Sequence, residues 1–181
     1  DYPFTFVRGQ NGLRIHVHNG VTPPPGYPWI EFAQVIVLLP EGNKVRSVKI
    51  VDDDAEKLEV TEPIEKCVAK RLDGSGEVVR DSKVAFSSST PVELVSNGCA
   101  MGYSIAVLRF SPVTMSDNGE LLLHKKVKLD LKLEEGKNCI KPMVQTEISR
   151  RTFQKVLDKF LIVDGVFESY EQSEILADYL S

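Results

Sequence analysis

Residues 121 to 136 read LLLHKKVKLDLKLEEG. Leu123, Val127, Leu129, Leu131 and Leu133 fall on one side of an extended chain, and Lys126, Lys128, Asp130 and Lys132 fall on the other. A helix would scatter these positions around its axis. A strand with one solvated face keeps them apart, so the run predicts an antiparallel sheet. A second apolar run, YSIAVLRFSPV, precedes it at 103–113, and SDNGE lies between them at 116–120. The Asn118-Gly119 pair there is what a tight hairpin turn needs. The middle of the chain is therefore built around a hairpin.

Shorter stretches extend the pattern. YPFTFVRG and GLRIHVHNG alternate across a GQNG turn, which predicts a hairpin within residues 1–20. The proline-rich VTPPPGYP at 21–28 cannot donate ladder hydrogen bonds and reads as an extended loop. WIEFAQVIVLLPEG predicts a long strand closed by Pro40 and Gly42, KVRSVKIVDDD a strand ending in a charged turn, and AEKLEVTEP a further short strand. VELVSNG at 92–98 adds another. Residues 61–91 have few periodic apolar positions and read as a long excursion around Gly74, Ser75 and Gly76. After Gly136 the period changes. Phe153, Val156, Leu157, Phe160 and Leu161 recur at helical spacing, which predicts a helix over 147–161 with Thr146 or Ser149 as cap. A second helical candidate is SYEQSEILADYLS at 169–181. Strands followed by helices predict a mostly β chain: an antiparallel β-sandwich over residues 1–136, with a C-terminal helical tail or linker over 137–181.

The composition excludes some functions. The formal net charge is -4 and the basic residues are scattered, which argues against a nucleic-acid surface. No apolar run approaches the roughly 20 residues of a membrane helix. The chain begins at Asp1 rather than Met, which fits a piece of a longer precursor. Cys67, Cys99 and Cys139 show neither a CxxC nor a zinc-ligand spacing. One disulfide with one free thiol, or three buried thiols, both satisfy the count, and the reading without a disulfide is preferred.

Catalytic and metal-binding constellations are sparse. His16 and His18 share a strand face but have no third ligand nearby, so exposed strand histidines are the simpler reading. Asp52, Asp53 and Asp54 carry oxygen ligands suited to calcium, yet the run lacks the spacing and glycine of a calcium loop. No cofactor is expected. Cys99 and His124 are the residue types of a thiol nucleophile and its base. Small residues around Cys99 are equally explained by a turn, and an inert cysteine is the preferred reading. The chain is expected to be non-catalytic.

Three stretches carry a resemblance when taken in order. VIVLLPEGNKVRSVKIVD has a strand ending in Leu-Pro-x-Gly followed by a valine-rich strand. TPVELVSNGCAMGYSIAVLRFSPV has a Pro-x-Glu-Leu-Val opening and a Pro-Val close. SDNGELLLHKKVKLDLKL follows with its turn and long alternating strand. In this order the chain, over roughly residues 30–136, resembles the N-terminal propeptide of gingipain-like cysteine peptidases. The resemblance implies a jelly-roll-like sandwich in a secreted bacterial zymogen, at the cell surface or in the periplasm. It implies a caspase-like catalytic domain as partner in cis, held latent and helped to fold. It also implies a blocking loop that offers a basic residue to a pocket for Arg or Lys. Among Lys66, Lys70, Arg71, Arg80 and Lys83 in the excursion, Lys70 and Arg71 come first because they precede a flexible Gly-Ser-Gly turn, and Arg80 comes second. The alternatives are an extracellular sandwich that binds glycan or protein through Tyr27, Trp29 and the proline-rich loop, and a structural domain of a surface protein.

Overall fold

The computed structural model describes residues 3–70, 77–78, 89–100, 102–137, 139 and 161–162. Among them there are strands and no helix. In chain order the strands are β1 (Phe4–Arg8), β2 (Leu13–Val17), β3 (Ala33–Leu38), β4 (Asn43–Leu58), β5 (Ala69–Lys70), β6 (Glu77–Val78), β7 (Val92–Ala100), β8 (Tyr103–Phe110), β9 (Val113–Met115), β10 (Leu121–Glu135) and β11 (Leu161–Ile162). They pair as β1-β2, β4-β10-β9, β11-β3-β8-β7 and β5-β6.

The first predicted hairpin is present. β1 and β2 are antiparallel, with Phe4 opposite Val17, Phe6 opposite Ile15 and Arg8 opposite Leu13. The central hairpin is present too, with Leu121 opposite Met115 and Leu123 opposite Val113. Its turn differs from the expected one. Gly119 N–H bonds Ser116 O at 2.9 Å, and Ser116 N–H bonds Glu120 O at 2.9 Å, which leaves a three-residue loop. Gly119 takes φ +83° while Asn118 does not adopt a positive φ, so glycine alone closes the loop in the left-handed region. Along β10 Val127, Leu129, Leu131 and Leu133 are half-buried, and Lys126, Lys128, Asp130 and Lys132 are exposed, as the alternation predicts.

Three expectations are corrected or left aside. β4 runs unbroken through Asp52, Asp53 and Asp54, where a charged turn and a new strand were expected. Pairing in the β4-β10-β9 sheet holds the backbone extended, and the aspartates are tolerated because this part of the strand is exposed. The expected strand at Trp29 starts only at Ala33, because Trp29 and Ile30 bond elsewhere: Ile15 N–H to Trp29 O and Trp29 N–H to Glu65 O. The helix over 147–161 and the helical candidate at 169–181 lie outside the described residues, save that Leu161 belongs to β11. That strand runs parallel to β3, Leu161 opposite Val37 and Ile162 opposite Leu38.

The chain forms two compact units. One comprises Asp1–Gln34, Ile50–Glu93 and Arg109–Leu129, the other Val35–Lys49, Leu94–Leu108 and Asp130–Ser181. The first is centred on Ile15, Ile30, Val113 and Leu121, with Phe4, Leu58, Val60, Ile64, Met115 and Leu123 packed around them. Each such aliphatic side chain contributes about 1.5–3 kcal/mol when fully buried. The second buries Val35, Val37, Leu38, Leu39, Val45, Ala106 and Leu108. Val35, Val37, Ala106 and Leu108 are alternating positions of β3 and β8, the Leu38–Leu39 pair closes the β3 run, and Val45 comes from β4.

Candidate functional site

Pairing of β9 with β10 sets Thr114 opposite Leu122, so His124, two residues along, shares the Thr114 face. The Thr114 hydroxyl lies 2.9 Å from His124 Nε2, and both oxygens of Asp53 on β4 lie 2.9 Å from Nδ1. Carboxylate, imidazole and hydroxyl thus follow in the order used by nucleophilic triads. Accessibility decides what they do. Thr114 is 1% exposed and His124 5%, so no substrate reaches the hydroxyl. The Asp53 carboxylate only accepts, so Nδ1 carries the proton and donates to it, and the Thr114 hydroxyl, which can donate, satisfies Nε2. This is a buried polar tie between three strands. It also accounts for Asp53, one of the three calcium candidates. Among the described residues no group of three or more His, Cys, Asp or Glu is placed to hold a metal ion.

A second polar cluster forms around β2. Leu13 N–H bonds Pro63 O at 2.9 Å and Glu65 N–H bonds Leu13 O at 2.8 Å, which brings Arg14 beside Glu65. Arg14 Nε donates to Glu65 Oε2 at 2.8 Å and Nη2 to Oε1 at 3.0 Å, a bidentate fork. The guanidinium also lies 3.9 Å from the Trp29 ring centroid. The hydrogen bonds from Arg14 hold the Glu65 carboxyl below the usual range, and those to Glu65 raise Arg14. The Trp29 face that the alternative binding-module reading offered as an aromatic platform therefore carries a guanidinium. Nearby, burial pushes the Cys67 thiol up, which makes it a poor nucleophile.

The histidine pair separates by partner. His16 Nδ1 lies 3.1 Å from Glu31 Oε1, whose other oxygen accepts Val17 N–H at 3.1 Å. His18 is exposed and sits just past the end of β2. On β8, Arg109 is buried and ion-paired with Glu93, and burial lowers it.

Cys99 is disulfide-bonded to Cys139, 40 residues on, and Cys67 is free and buried. This overturns the preferred reading of three thiols and removes Cys99 as a nucleophile for His124. No spacing signal announces such a pair, because tertiary folding alone brings the two residues together. Of the basic residues proposed for a blocking loop, Lys70 ends β5 and pairs in register with Glu77 of β6. Arg71, Arg80 and Lys83 lie outside the described residues. Lys66 is exposed, and its backbone bridges Pro28. No enzyme-like centre with an accessible nucleophile is assembled among the described residues, nor does any helix among them have the length and apolarity to cross a membrane.

No protein-family model matches the chain. No curated protein matches it. Among solved structures, it is similar to a chain in the complex of Porphyromonas gingivalis RgpB pro- and mature domains, at 15% identity and a TM-score of 0.57, over 88% of this chain and 87% of that one. It also aligns with a structure of gingipain K from Porphyromonas gingivalis described in terms of zymogenic latency, at 15% identity and a TM-score of 0.49, over 72% of this chain and 80% of that one. At this identity the first likeness establishes a shared fold.

Proposed function

We propose that this chain is the non-catalytic prodomain of a gingipain-like cysteine peptidase, holding a caspase-like catalytic domain latent in cis and assisting its folding. The observation that carries the reading is the fold likeness along nearly the whole length of a chain from a pro- and mature-domain complex. It converges with the ordered strand motifs at residues 35–52, 90–113 and 116–133, whose sequence resembles the same family. The jelly-roll-like sandwich, the division at residue 136 and the role of residues 137–181 as a joining segment are parts of this reading. A disulfide at Cys99–Cys139 supports folding outside the cytoplasm, in keeping with a secreted or surface zymogen. The aromatic-platform alternative loses its support because Arg14 stacks on Trp29.

In this reading Lys70, Arg71 and Arg80 are the candidates to enter the specificity pocket. A guanidinium there makes charge-assisted, bidentate bonds to a carboxylate. Removing it leaves the carboxylate unpaired, at a cost of about 2–5 kcal/mol, or roughly 30-fold and more in inhibition. The test mixes the full chain with the peptidase domain of its own precursor and follows turnover of a fluorogenic peptide. Stoichiometric slowing is expected, weakened by Arg71→Ala, Lys70→Ala or Arg80→Ala. Unchanged turnover with the wild-type chain, or a precursor with no such domain, overturns the reading. Inhibition that survives all three substitutions rejects the basic-residue mechanism.

A further inference from the structure

We propose that the Cys99–Cys139 disulfide is a reducible latch on the chain's exit from its sheet, opened by a dithiol that attacks Cys99 and expels Cys139. Three observations carry it. The two cysteines differ in access: Cys99 lies in an exposed stretch of β7, the last strand of its sheet, whereas Cys139 is 7% exposed. The two sulfurs also differ in surroundings, since Cys139 Sγ lies 3.6 Å from the hydroxyl oxygen of buried Ser104. A disulfide sulfur has no proton, so Ser104 is the donor. Finally, β10 ends at Glu135 and Gly136 N–H bonds Gly42 O at 2.6 Å, so the disulfide is a second fastening three residues beyond the first.

Thiol–disulfide exchange needs an accessible sulfur for the attacking thiolate and a leaving sulfur that bears negative charge well. Cys99 supplies the first and Cys139, with its Ser104 donor, the second. The incoming thiolate forms a bond to Cys99 Sγ, the Cys99–Cys139 bond breaks, and its electron pair leaves on Cys139 Sγ, which then takes a proton from water. The second thiol of the reagent attacks its own mixed disulfide, closes a cyclic disulfide and releases Cys99 as a thiolate. The protein disulfide gains two electrons and two protons, and the dithiol is oxidised. Once it is open, Cys139 loses its covalent hold, and the Gly136–Gly42 bond three residues earlier is left without its second fastening and opens more readily.

The test uses the full chain alone, so it stands or falls apart from the prodomain reading. The folded chain is exposed to limiting glutathione, a monothiol that halts at the mixed disulfide. Free thiols are then alkylated and both positions mapped by peptide mass. Glutathione on Cys99 with alkylated Cys139 is expected. Glutathione on Cys139, or no reaction until denaturant is added, overturns the proposal. Ser104→Ala should slow opening by dithiothreitol about tenfold, the effect of removing one hydrogen bond to a charged sulfur. The adduct mapping decides the matter even if that variant fails to fold. Hydrogen exchange completes it: reduction should expose the Gly136 amide while β8 amides keep their protection, and loss of protection in both would show unfolding instead of a latch.

Discussion

Asn97 on β7 holds Val45 on β4 by both ends of its backbone: Oδ1 accepts Val45 N–H at 2.7 Å, and Nδ2 donates to Val45 O at 2.9 Å. A side-chain amide here does the work of a paired strand residue. Replacing it with alanine removes both bonds, and a loss of about 1–2 kcal/mol is expected. Asn97→Asp should cost at least as much, because its second oxygen would face the Val45 carbonyl with no proton between them. Urea midpoints of the two variants against wild type check this, and a neutral Asn97→Ala would show that water replaces the amide without loss.

The tie at His124 gives a graded expectation. His124→Ala removes both ring contacts and strands the buried Thr114 hydroxyl, and should destabilise the chain by about 2–4 kcal/mol. Asp53→Asn keeps an oxygen for Nδ1–H and should cost under about 1 kcal/mol. Equilibrium denaturation that ranks the two in reverse order would refute the assigned hydrogen-bond directions.

Glu65 predicts an acid-sensitive contribution. Its carboxyl is held below the usual range by Arg14, so the folded state favours the charged form more than the unfolded state does. That contribution is full at pH 7, declines as the pH falls through the ordinary glutamate value of about 4.3, and is gone below the depressed folded value. Glu65→Gln should therefore be less stable than wild type at neutral pH and converge with it in acid. Parallel denaturation curves at neutral and acidic pH provide the measurement, and a gap that stays constant would contradict the pairing.

Glycine positions rank by what a methyl group would meet. At Gly12 the φ is +153° and an added Cβ would overlap the backbone oxygen of Pro63, so Gly12→Ala should cost about 3 kcal/mol. At Gly119 the φ is +83° with open space around it, and alanine should cost about 1–2 kcal/mol. Gly98 meets nothing within 4 Å, and alanine there should be neutral or stabilising by up to about 1 kcal/mol. Melting temperatures of the three single variants test the order.

The alternation from Leu123 to Leu133 was legible because a half-buried strand face writes itself into every second residue. The central hairpin was legible for the same reason, helped by Gly119. β4 was not, because its distal part is exposed and Asp52 to Asp54 break the apolar code. Its extension is set by pairing partners far along the chain. Arg14 and Glu65 stand 51 residues apart, Asp53 and His124 71, and Cys99 and Cys139 40. No local pattern specifies such contacts. The residues proposed for the blocking loop rest on composition, Lys70 and Arg71 on their proximity to the Gly-Ser-Gly turn, and function was reached through strand motifs taken in order, not through any single site.

Trp29 is the chain's one tryptophan, and it lies within the unit built on Ile15 and Leu121 with a guanidinium against its ring. The intrinsic indole emission therefore reports on that unit alone, while far-ultraviolet dichroism sums the strands of both. A denaturation curve followed by emission and a second followed by dichroism will coincide only if the two units melt as one cooperative body, which makes this residue a built-in optical probe of their coupling.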